Sequence, residues 1–226
     1  MTVSAQVPTS RRAGNPAWPW VLIASGVLFV IGGSLHPNED SSLPDPEATA
    51  GAIGTNTWIP AHGLLLVSAI GFLIGLFALV RSDLPLPSAA RRAAWVATVG
   101  AGLYAVEGVF HLAAFADEDA LLAGEATPFL STHLTMGLVV YPLFTFAVAA
   151  LAVLSRGTLT HPAIGVLGAI GAVIFGVAPA LVGLADIEAL GWMFPVGGIL
   201  MALWFTAVGV TALARGSARR EGVAAS

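Results

Sequence analysis

Long apolar runs separated by short polar ones organise the whole chain. Six runs stand out, at roughly 18–36, 58–80, 92–116, 129–154, 162–184 and 189–213. Each is near the ~20 residues that an α-helix needs to cross about 30 Å of hydrocarbon. Lipid offers backbone N–H and C=O groups no partner, so each run must satisfy its own as a helix. The expected fold class is all-α: a polytopic membrane protein with six transmembrane helices. Residues 1–17 read as a disordered cytoplasmic tail, 18–213 as the transmembrane bundle, and 214–226 as a basic cytoplasmic tail. The first run follows Arg11-Arg12 but is long, lacks an A-x-A site and leads into His36-Pro37, so it is expected to be a retained helix and not a cleaved signal.

A weak internal repeat groups the runs. His133-x3-Gly137-Leu138 with Phe144-Thr145 aligns with Phe194-x3-Gly198-Ile199 with Phe205-Thr206, and Trp58-x3-His62 opens its run as Phe129-x3-His133 opens another. The bundle is therefore expected to be three helical hairpins. Pro142, Pro179 and Pro195 are the expected kinks.

Composition agrees with the pattern. Of 226 residues, 57% are hydrophobic and 10% are charged, against about 25% charged in a soluble domain. Cysteine is absent, which removes disulfides, thiolate metal sites and cysteine nucleophiles. All nine basic residues are arginine, a usage that fits a GC-rich bacterial genome; the expected location is the cell inner (plasma) membrane.

Charge placement sets the expected orientation. Arg11, Arg12, Arg81, Arg91, Arg92, Arg156, Arg215, Arg219 and Arg220 fall on one side of the six crossings. The three opposite connections carry only acids: Glu39, Asp40, Asp45 and Glu47, then Asp117, Glu118, Asp119 and Glu125, then Asp186 and Glu188. By the positive-inside rule both termini are cytoplasmic (N-in, C-in) and the acidic loops face outward. Trp18, Trp58 and Trp192 sit near run ends, where interfacial aromatics are expected.

That orientation gives the histidines a common depth. His36 ends the first run, His62 lies a turn into the second, His111 a turn before the end of the third, and His133 a turn into the fourth. At 1.5 Å per residue all four lie within roughly 8 Å of the outer hydrocarbon boundary. Polar groups in apolar helices face the bundle interior and mark functional sites. Glu107 lies one turn deeper than His111 on the same helix face, with Tyr104 continuing that stripe. A carboxylate in hydrocarbon needs a partner, so Glu107 is a metal ligand, a partner for an imidazole N–H, or a proton carrier. The expected cofactor ligands are His62 and His133, then His111, with His36 the weakest candidate because it sits at the boundary before a proline. His161, also before a proline, opens the fifth run and is expected to be structural.

Three functions follow. The first expectation is a b-type haem held by histidine pairs, giving electron transfer or redox sensing with a redox partner on the outer side. Gly32, Gly33, Gly63, Gly108 and Gly137 beside the histidines would let a macrocycle approach. The second is a bare Zn, Cu or Fe ion held by His36, His62, His111, His133 and Glu107 in a membrane metalloprotein or metalloenzyme. The third is a transporter or assembly factor that uses His and Glu as a proton or ligand site. No Walker A, dinucleotide-binding or G-x-S-x-G motif occurs, and no basic surface suits nucleic acid. The lipid bilayer is the expected partner, and the glycine-rich third and fifth runs permit a homo-oligomer.

Overall fold

The computed structural model describes residues 17–40, 42–185 and 187–224, with side chains as far as 218. The expected tail at 1–17 lies almost wholly outside these residues. Six helices are long and apolar enough to cross a membrane. They are α1 (Trp18–Leu35), α3 (Trp58–Val80), α4 (Ser88–Ala113), α6 (Pro128–Leu154), α7 (Pro162–Ala178) and α8 (Met193–Ala224). Two short helices, α2 (Asp45–Ile53) and α5 (Glu118–Leu122), lie in the connections and pack on each other.

Proline starts several of these helices, because the first turn has N–H groups without intrahelical partners and loses nothing there. Pro128 and Pro162 open α6 and α7. Pro195 lies in the first turn of α8 for the same reason, so it is a helix start and not a kink. Pro142 does lie inside α6, and at Pro179 helix α7 passes into a π-helical turn over Pro179–Leu184. Helix α8 runs to Ala224, so the basic segment after 213 continues the helix.

Each spanning helix packs on its sequence neighbour, and α8 packs on α1, which closes the six into a ring. Aromatic rings fill its centre. Phe72 of α3, Phe144 of α6 and Phe205 of α8 are fully buried; Phe72 and Phe205 stack at 4.3 Å, and Phe144 and Phe205 lie parallel at 6.5 Å. Phe144 and Phe205 are equivalent positions of the internal repeat, which therefore has a packing role.

Apolar burial alone does not join helices in lipid, where the solvent is as apolar as the core; close approach of small residues does. Ala90, Ala94, Ala97 and Ala101 form the buried face of α4. A Cβ on Gly100 would lie 2.7 Å from the Phe144 Cα, so α4 and α6 touch backbone to side-chain root. A Cβ on Gly197 would lie 2.9 Å from both the Gly171 carbonyl and the Phe175 Cα, so α7 and α8 meet in the same way. Large side chains face outward instead, as Val67, Ile70, Ile74 and Phe77 do on α3.

The two ends of the bundle differ. At one end, Arg91 donates to the Val80 and Leu84 carbonyls at 2.6 and 2.9 Å, and Arg215 donates to the carbonyls of Thr158 and Gly157. These cations satisfy carbonyls left free where helices end. At the other end lie His36, His62, His111 and His133, the acidic connections, α2 and α5.

Candidate metal centre

His36, His62, His111 and His133 form one cluster. His36 follows the last residue of α1; His62 is in the second turn of α3; His111 is in the last turn of α4; His133 is in the second turn of α6. Their ring centroids are separated by 4.7 Å (His36–His62), 4.1 Å (His62–His111) and 3.6 Å (His111–His133). His111 is the hub, since it also lies 5.9 Å from His36. Ligand atoms of His36, His62 and His111 lie within 4.8 Å of one another, and so do those of Glu107, His111 and His133. Imidazole nitrogens around a tetrahedral ion at 2.0–2.1 Å are about 3.3 Å apart, a spacing that the donors of each group exceed by no more than about 1.5 Å. The sequence ranks His36 last, yet it belongs to the first group, because α1 ends where α3 begins its second turn.

Hydrogen bonds orient three of the imidazoles. His62 Nδ1–H donates to the Trp58 carbonyl at 2.8 Å, and His36 Nδ1–H donates to the Pro37 carbonyl at 2.8 Å. A carbonyl only accepts, so each Nδ1 carries the proton and each Nε2 keeps its lone pair. His133 Nδ1 pairs with Glu107 Oε1. An imidazole whose far nitrogen is held by a carbonyl or carboxylate is the arrangement found behind metal-ligating histidines. His62 Nε2 and Glu107 Oε2 are buried and have no hydrogen-bond partner among the described residues. Buried polar atoms without partners are costly and call for an explanation. A cation among these groups would supply one.

Compared with known proteins, the chain matches no family model, and no curated protein or solved structure is similar to it. The site must be read from its own geometry.

Two residues outside the expected set hold the cluster. Trp58, the first residue of α3, is 5% exposed, so its ring packs inside the bundle and not on its outer surface. Its indole packs 4.0 Å from the His62 ring and 5.6 Å from His111, and its Nε1–H donates to the Leu112 carbonyl at 3.2 Å. It thereby ties α3 to α4 at the level of their histidines. The available signal was its spacing, one helical turn before His62. Trp18 is likewise buried, while Trp192 is half exposed.

Asp117 is the second. It is 3% exposed, and its Oδ2 accepts the Leu130 N–H at 2.8 Å. Leu130 lies in the first turn of α6, whose N–H groups need outside acceptors. The carboxylate also meets the positive end of the α6 dipole. Asp117 thus fixes the start of α6 one turn before His133. It follows α4 directly, through a 3-10 turn over Ala114–Asp117, so one segment carries Glu107 and His111 and also anchors the helix that carries His133.

Below the cluster lies a cavity of about 20 Å³, lined by His62, His111, Glu107, Tyr104 and Tyr141 among others. Tyr104 and Tyr141 meet edge to face at 5.2 Å. The fifth histidine lies elsewhere. His161 caps α7, and its ring accepts the Ala163 N–H at 3.3 Å, the structural role expected of it.

Proposed function

We propose that this protein binds one first-row transition-metal ion within its membrane bundle, through the imidazoles of His36, His62 and His111, with His133 as the fourth donor held by Glu107. The observation that carries the reading is the set of three Nδ1 groups already engaged by acceptors, which leaves Nε2 lone pairs for a cation. Neutral imidazoles suit Zn, Cu and Fe, and the single carboxylate offsets part of the ion's charge. Spacing favours a bare ion over haem: the rings of His62, His111 and His133 touch in series, and a macrocycle between any two would have to part them.

In the proposed setting the chain spans the plasma membrane as three hairpins with both termini cytoplasmic. The one-sided arginines support this, and it puts the metal centre beneath the acidic outer connections. Those acids would raise the local concentration of cations at the site.

The test is elemental analysis and absorption spectroscopy of the purified protein. The expected result is about one Zn, Cu or Fe per chain without a Soret band, lost when His62 and His111 are replaced together by Ala. A Soret band with a reduced α band would restore haem, and a metal-free colourless protein would favour the transporter reading. Orientation is tested separately, because the natural chain has no cysteine. Ser42→Cys is expected to react with an impermeant maleimide on intact cells, and Ser82→Cys only after lysis. The reverse labelling would overturn the topology.

A further inference from the structure

We infer that the metal centre keeps one exchangeable coordination position, directed into the cavity beneath it, and that this position accepts only a water-sized ligand. The inference rests on the metal reading above and adds what the bound ion can do.

Three observations carry it. The cavity measures about 20 Å³, above the 10–15 Å³ that one water needs and far below the ~300 Å³ of an organic ligand site. A water there needs two to four polar partners. Glu107 Oε2, buried and unpartnered among the described residues, belongs to a side chain that lines it and would be one partner; the ion held by His62 Nε2 would be the other. His62 and His111 line it too, while His36 and His133 do not. An ion shared by His36, His62 and His111, with His133 as the fourth donor, would therefore take a fifth ligand from the cavity side.

The chemistry follows from those walls. A water on the ion would donate to Glu107 Oε2, the oxygen that His133 does not use. Tyr104 and Tyr141, each less than a tenth exposed, close the side toward the membrane centre. Leu65, Leu66 and Ala69 leave no room for a longer molecule. The ligand class is thus water, hydroxide, fluoride or another ligand of that size. Organic substrates and long anions are excluded at this position.

The experiment uses the full-length protein in detergent, loaded with Cu(II). Pulsed electron paramagnetic resonance in H2O and D2O reads an exchangeable water, and titration with fluoride and thiocyanate reads the size limit. The expected result is deuterium coupling from one water, a fluoride-induced splitting that saturates at one per ion, and no response to thiocyanate. Ala69→Val, which fills the cavity, should keep one Cu per chain and lose the fluoride response. Bound Cu with neither deuterium coupling nor a fluoride response would overturn the inference and leave the metal reading intact. A thiocyanate response equal to that of fluoride would also overturn it, since the open position would then face the outer surface beside the exposed His36. Failure to bind any ion would instead sink the metal reading itself.

Discussion

Replacing Glu107 by Gln separates a metal-supporting carboxylate from a structural one, because the two roles predict effects of opposite sign. Glu107 is 1% exposed; Oε1 pairs with His133 Nδ1 and Oε2 has no partner among the described residues. Glutamine keeps the shape and one acceptor for the imidazole N–H but removes the charge. A charge-assisted hydrogen bond is worth about 1.5–3 kcal/mol and a neutral one about 0.5–1.5, so the loss at His133 is on the order of 1 kcal/mol. The carboxylate also attracts the dication, and changes behind metal-bound histidines cost roughly 10–100-fold in affinity. Glu107→Gln should therefore weaken binding by about tenfold or more. Glu107→Leu, which leaves the Nδ1–H without an acceptor, should reach about a hundredfold. The metal-free protein should respond the other way. It holds a buried carboxylate with one unsatisfied oxygen, so its melting temperature should stay level or rise in Glu107→Gln. The assays are competition against a chelator of known affinity and a thermal melt of the apo-protein in detergent. Unchanged affinity in Glu107→Gln, or a fall in apo stability with no change in affinity, would refute the reasoning.

Three further predictions follow from the same geometry. The histidines should rank by connectivity: His111→Ala, which removes the hub, should cost on the order of 100-fold or more in metal affinity; His36→Ala should cost less; His161→Ala, remote from the cluster, should leave it unchanged in the same chelator competition. Asp117→Ala removes the acceptor for the Leu130 N–H and should lower stability by about 1–2 kcal/mol, read as a lower melting temperature. The same variant should weaken metal binding modestly, because α6 then starts less firmly. Gly197→Leu places a side chain where a Cβ alone meets the Gly171 carbonyl at 2.9 Å; it should separate α7 from α8 and cut the yield of monodisperse protein, measured by size exclusion, without altering affinity in the fraction that folds.

The sequence alone determined the number of long apolar helices and their approximate limits. Backbone hydrogen bonding in lipid leaves a long apolar run no alternative to a helix, so run length carries that information unaided. It also put His36, His62, His111 and His133 at one depth, since depth depends only on rise per residue. The i, i+4 alignment of Glu107 with His111 was legible for the same reason.

Which helix faces turn inward was decided by the tertiary structure. A soluble helix announces its inner face by polarity, but here both faces are apolar: Phe72 and Leu76 are buried while Ile74 and Phe77 lie exposed on the outside of the bundle. Packing of small against large residues made that choice, through contacts such as Gly197 on Gly171. The ring closure of α8 on α1, the central position of His111 and the inclusion of His36 all follow from it. So do the supports from Trp58 and Asp117, because a partner across helices has no fixed spacing in the chain. The sequence sets the depth of the histidines; only the packed bundle sets which of their nitrogens face one another.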